Sequence, residues 1–143
     1  MECMANSDNV IRAGLTPKFR DVPNLVSGLT YIAAPYTKHT VQPSPFDVDN
    51  DKGRSLLYNP PVPEFAVVQV KVPLGEVETH RAVDGPSVMI VVEGGGKVEW
   101  GDDGVMDVGL GDVFFVGAGA EISTRAGGEA EELVAYRAFV EAD

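Results

Sequence analysis

The chain has 143 residues, enough for one sizeable core or for one domain with a remnant of another. Its 22 acidic and 11 basic residues leave a net charge of −11, which argues against a nucleic-acid or anionic-membrane partner, although a small locally basic pocket can still hold an anion. The single cysteine, Cys3, excludes an internal disulfide framework and fits a reducing compartment. No apolar run approaches the length of a membrane span, so the expectation is a soluble, cytoplasmic protein. Cys3 reads as a small buried apolar residue and not as a nucleophile, because neither His39 nor His80 lies near it in sequence.

Residues 1–12 read as the end of a β structure with Met1 at an interior position. Asn6-Ser-Asp-Asn-Val-Ile-Arg-Ala-Gly-Leu-Thr-Pro-Lys18 follows as an extended segment or ordered loop, since Gly14 and Pro17 prevent a helix. Val10, Ile11 and Leu15 are expected to anchor in a core while Arg12 and Lys18 project toward a common anionic object, with Glu2 sharing that face. Asp21-Val-Pro-Asn-Leu-Val-Ser-Gly28 has the marks of a short helix. Asp21 can accept from the first free amides, Pro23 suits the first turn and Gly28 suits the stop. Its face of Val22, Leu25, Val26 and Leu29 is expected to pack in a core.

Residues 31–63 read as a long irregular connector, because Pro35, Pro43, Pro45, Pro60, Pro61 and Pro63 interrupt any ladder. Asp47, Asp49 and Asp51 superficially match a calcium loop, but the closing Glu and the flanking helices are absent, so this stretch is expected to be solvated. Leu56, Leu57 and Tyr58 are expected to pin the connector back onto the body that follows.

From Glu64 short strands succeed one another: 65–72, 88–92, 97–100, 105–108, 113–116, 121–125 and 133–140. Gly101-Asp-Asp-Gly104 between two of them is a hairpin signal. Strands with glycine-rich corners and no helix between them make the expected class all-β, a double-sheet jelly roll of the cupin kind over 64–143. Metal-binding cupins share a first motif of Gly-x5-His-x-His-x(3,4)-Glu-x6-Gly. Setting Gly75 on its first glycine puts Arg81 and Val83 at the histidine positions. His80 falls one residue off, where alternation is expected to turn it outward as an exposed or edge-strand histidine. No second histidine follows, so a barrel without a metal of its own is expected.

The segment from Glu2-Cys-Met-Ala5 through Ser7-Asp-Asn-Val-Ile-Arg-Ala-Gly-Leu-Thr-Pro-Lys-Phe19 resembles the signature of type I mannose-6-phosphate isomerases. Asp21-Val-Pro-Asn-Leu25, Tyr58-Asn-Pro-Pro-Val-Pro-Glu-Phe65, Gly85-Pro-Ser87, Gly111-Asp-Val-Phe-Phe-Val116 and Tyr136-Arg-Ala-Phe139 follow in that family's order. The resemblance is to the C-terminal portion of such an enzyme. It implies residues 1–30 as a remnant of the catalytic domain, 31–63 as connector and 64–143 as the C-terminal cupin-like domain.

The resemblance also implies an aldose–ketose isomerase of mannose 6-phosphate and fructose 6-phosphate, feeding GDP-mannose synthesis. Family zinc ligands lie upstream of residue 1, so this stretch is expected to bind no zinc and to be inactive alone, completed by a missing N-terminal catalytic portion. Three active-site positions carry over: Arg12, Glu2 and Lys18. Arg12 would hold an oxygen pair or a developing enediolate, Lys18 would contact substrate or move a proton, and Glu2 would be a polar wall or acid/base. The alternative is a non-catalytic cupin-like module that binds a sugar or acts as a scaffold. A chain of the first kind should expose apolar surface around Met1, Met4, Val10 and Ile11.

Overall fold

A computed structural model describes residues 3–4, 11–46 and 54–140. Contacts divide the chain into two units, Met4–Thr40 on one hand and Met1–Cys3 with Val41–Asp143 on the other.

In the smaller unit the helix forms where the capping residues ask for it. Helix α1 spans Val22–Gly28, with the Asp21 carboxylate accepting from the Asn24 amide at 3.2 Å and proline in the first turn. A single 3₁₀ turn follows at Tyr36–His39, where His39 is exposed. The packing expected of this region does not occur. No residue of α1 is buried, and Val22, Val26 and Leu29 are about half exposed. Ile11 is 44% exposed and Leu15 fully so. The reason is supply: seven residues offer an apolar stripe one turn long, and the irregular chain around them provides no sheet layer to cover it.

The larger unit is a sandwich of two antiparallel sheets. Its strands are β1 Ser44–Pro45, β2 Ser55–Tyr58, β3 Ala66–Pro73, β4 Val77–His80, β5 Ser87–Glu93, β6 Gly95–Trp100, β7 Gly104–Gly109, β8 Val113–Val116, β9 Ile122–Gly127 and β10 Glu132–Phe139. One sheet runs β1-β2-β3-β10-β5-β8 and the other β4-β9-β6-β7. This is the jelly roll expected of alternating valine-rich segments. Alternation along β3 and β10 sends Val68, Val70, Val72, Leu133, Ala135 and Phe139 inward. They meet Val98, Val108, Ile122 and Ala126 of the second sheet. At roughly 1.5–3 kcal/mol for each fully buried branched side chain, this shared interior is the main source of stability.

One detail of the connector differs from the sequence reading. The segment 31–63 is irregular only in part: Leu56, Leu57 and Tyr58 do more than pin it, because β2 pairs β3 residue for residue from Ser55↔Val70 to Tyr58↔Val67. Prolines on either side of 46–58 leave those four residues free to donate to a ladder. The stretch 47–53, where a calcium-like pattern was considered, lies outside the described residues. The hairpin at Gly101–Gly104 forms as expected, with Trp100 opposite Gly104 and its ring so close that a Cβ on Gly104 would fall 2.5 Å from it. Trp100 is thus a strand anchor that needs glycine opposite.

Candidate functional site

Arg12 and Lys18 both belong to the smaller unit, on a loop that turns at Gly14, whose φ of +81° suits glycine. Thr16 accepts from the Lys18 amide at 3.2 Å, and Arg20 donates to the Gly14 carbonyl at 3.4 Å, so the turn is braced from within. Arg12 is half-buried and Lys18 exposed. Among the described residues neither side chain is engaged in an ion pair. Glu2, the third position, lies outside the described residues. Cys3 is half-buried and helps line a concavity of about 380 Å³ with Val41, Tyr58, Gln69 and Tyr136 on the outer face of the larger sheet.

The barrel interior holds a polar group that the sequence reading missed. His80 does not face outward: it is 1% exposed. Strand β4 pairs with β9 so that Glu78 and His80 share the inner face, and the strand ends at His80. The alternation extrapolated to Arg81 and Val83 therefore has no strand to follow. His80 sits edge-on to the Phe46 ring, 5.2 Å between centroids, and its Nε2 lies 2.9 Å from Ser55 Oγ. Ser55 in turn donates to Glu78 Oε1 at 2.7 Å. Loss of solvation on burial, and then the charge of Arg137, push the imidazole down to about 3, so it is neutral at ordinary pH.

Arg137 is fully buried on β10, and its Nε donates to Ser87 Oγ at 2.9 Å. Arg54 reaches across the sandwich as well, donating to the Val77 carbonyl at 3.0 Å and pairing with Glu76 at 3.1 Å. The bonds of Ser55 and Arg54 form a polar seam that closes the side between β2 and β4. The opposite side, between β7 and β8, is closed by apolar groups around a cavity of about 200 Å³ lined by Trp100, Met106, Phe114 and Phe115. One sequence signal for buried polar groups existed: Arg137 falls in phase with Leu133, Ala135 and Phe139, an arginine at an inward position of an apolar strand. Ser55 and Glu78 carry no such mark, because only the fold brings β2 against β4.

Two antiparallel sheets in jelly-roll order with a filled interior place the larger unit among cupin-like barrels. Among the described residues no group of three or more His, Cys, Asp or Glu converges as a metal ion would require. Residues 55–103 match the family profile "Phosphomannose isomerase type I C-terminal". The mannose-6-phosphate isomerase of Cryptococcus neoformans var. neoformans serotype D is 49% identical over 142 residues, covering 99% of this chain and 31% of that protein. The Saccharomyces cerevisiae mannose-6-phosphate isomerase is 46% identical, covering 99% and 32%. A crystal structure of mannose 6-phosphate isomerase from Salmonella typhimurium, bound to substrate fructose 6-phosphate and zinc, superposes with a TM-score of 0.73 at 26% identity, covering 97% of this chain and 32% of that one. Over almost its whole length the chain matches the C-terminal region of type I phosphomannose isomerases. It spans about a third of the length of the relatives it matches.

Proposed function

We propose that these 143 residues are the C-terminal portion of an enzyme that interconverts mannose 6-phosphate and fructose 6-phosphate and feeds GDP-mannose synthesis. The observation that carries this reading is near-50% identity with a mannose-6-phosphate isomerase over almost the whole chain, the Arg12–Lys18 loop included. In this reading residues 1–30 are an edge of the catalytic domain, 31–63 lead into the barrel, and 64–143 shape and support the active site from outside. In this reading the zinc ligands belong to the upstream catalytic portion.

What this chain gives to the reaction is charge. Isomerisation through an enediol moves a proton between neighbouring carbons while negative charge grows on oxygen. A fixed guanidinium at Arg12 holds that oxygen pair bidentately, Lys18 meets the sugar phosphate as a point charge, and Glu2 supplies a polar wall or a proton-transfer group. The single cysteine fits a cytoplasmic location, and a net charge of −11 fits a partner other than nucleic acid or membrane. Among the described residues no helix is long and apolar enough to cross a bilayer. A second reading, a non-catalytic sugar-binding or scaffold module, is favoured by one observation: every buried side chain among the described residues lies in the larger unit, which therefore holds a core of its own.

An isomerase assay with mannose 6-phosphate and added zinc separates the two. The 143-residue chain should be silent, the same chain joined to an upstream catalytic portion active, and Arg12→Ala in the joined protein slower by about 10²–10³-fold in kcat with an unchanged melting temperature. Turnover by the 143 residues alone, or an Arg12→Ala protein of full activity, would sink the first reading.

A further inference from the structure

Among the described residues, Nδ1 of His80 and Oγ1 of Thr124 lie inside the barrel, sealed from solvent, with no hydrogen bond from another protein group. The bonds around them fix what each can accept. Ser55 has one hydroxyl hydrogen and gives it to Glu78 Oε1. The 2.9 Å contact between Ser55 Oγ and His80 Nε2 is then a bond in which Nε2–H donates to the serine lone pair. A neutral imidazole carries one proton, so Nδ1 is left as an acceptor inside the barrel. Burial and the nearby Arg137 charge both oppose a second proton on the ring.

Thr124 stands in the right place to share that need. In the β4–β9 ladder Glu78 is opposite Thr124 and His80 opposite Ile122, so Thr124 is the diagonal neighbour of His80 on the same inward face. Diagonal neighbours across an antiparallel pair lie about 7–8 Å apart, a span that two side chains and one bridging molecule fill. The chemistry of the occupant follows. A carboxylate or phosphate oxygen has no hydrogen to give and would meet the Nδ1 lone pair with its own. A metal would find no third ligand among the described residues. A small neutral hydroxyl donor answers both atoms.

We propose that His80 Nδ1 and Thr124 Oγ1 form an internal site for one water molecule, which donates to the imidazole and bonds the threonine hydroxyl. The water satisfies the Nδ1 lone pair of the tautomer that the Ser55 bond sets. That tautomer keeps Nε2–H on Ser55 and so keeps the seam between β2 and β4 closed. The site lies in the barrel and is independent of the isomerase reading, which rests on the Arg12 loop.

Nitrogen-15 correlation spectra of the His80 ring in the 143-residue chain give the first test. The expected result is the Nε2–H tautomer, together with a cross-relaxation peak between a long-lived water and the ring hydrogen beside Nδ1. Thr124→Val should abolish the water peak and leave Nε2–H in place, while Thr124→Ser should restore it. An Nδ1–H tautomer, or a water peak that survives Thr124→Val, overturns the proposal. A high-resolution crystal structure is the second measurement, usable whether or not Thr124→Val folds. One round density peak within hydrogen-bond distance of both atoms supports the site, whereas no density or an elongated ligand there overturns it.

Discussion

The two units of this chain divide its work unevenly. Residues 11–40 carry the loop with Arg12 and Lys18, yet not one of them is buried; every buried side chain among the described residues lies in the larger unit. The longest motif of the resemblance runs through residues 11–19, which place no side chain in the buried core. Selection on a loop that meets a substrate preserves residue identity. Selection on a sandwich interior preserves only size and alternation, and many sequences satisfy that.

Stability measurements on the 143-residue chain can break this contrast. The largest effect is expected from the barrel: Leu133→Ala empties a fully buried site and should cost about 2–5 kcal/mol, lowering the melting temperature by many degrees. A change of under 1 kcal/mol would show that the interior is not packed as described.

Acid should act next, and on the barrel alone. The His80 pKa is held at about 3, below its ordinary value of 6.5, so the group stabilises the fold above pH 6.5 and that stability drains away as pH falls toward 3. By pH 5 the loss should reach about 2 kcal/mol, before most carboxylates titrate. Urea unfolding over a pH series reads this directly, and a slope between pH 6.5 and 5 that is unchanged in His80→Phe would refute the assignment.

Smaller effects sharpen the other side of the comparison. Asp21→Ala removes the cap of α1 and should cost about 1 kcal/mol of local helix, visible as lost helical dichroism with no shift of the main transition. Leu15→Ala, at a position 104% exposed, should change stability by less than about 0.5 kcal/mol. A loss of 2 kcal/mol or more there would mean that Leu15 packs after all. Met4, Leu15 and Phe19, all largely exposed, are also expected to bind an apolar dye more strongly than an ordinary folded domain does.

Much of the architecture was legible without coordinates because its causes are local. Alternating valines and glycine-rich corners produce strands wherever they occur, and Asp21 with Pro23 and Gly28 sets the helix to within a residue. Arg12 and Lys18 were legible for a different reason, the specificity of the segment that holds them. Two expectations failed because they extended a local rule past its reach. Alternation from Gly75 turned His80 outward, whereas β4 stops at His80 with that residue facing in. Val22, Val26 and Leu29 formed an apolar face, but a face is buried only when another layer covers it.

By itself, then, the sequence determined β3 and β5 to β10, where the helix begins, and which family the chain resembles, since each follows from neighbours within a few residues or from a motif read in order. Only the tertiary structure decided that Ser55, Glu78 and His80 meet. Those residues lie on strands of two different sheets, 23 and 25 positions apart, and their hydrogen bonds exist only once β2 and β4 face each other across the sandwich.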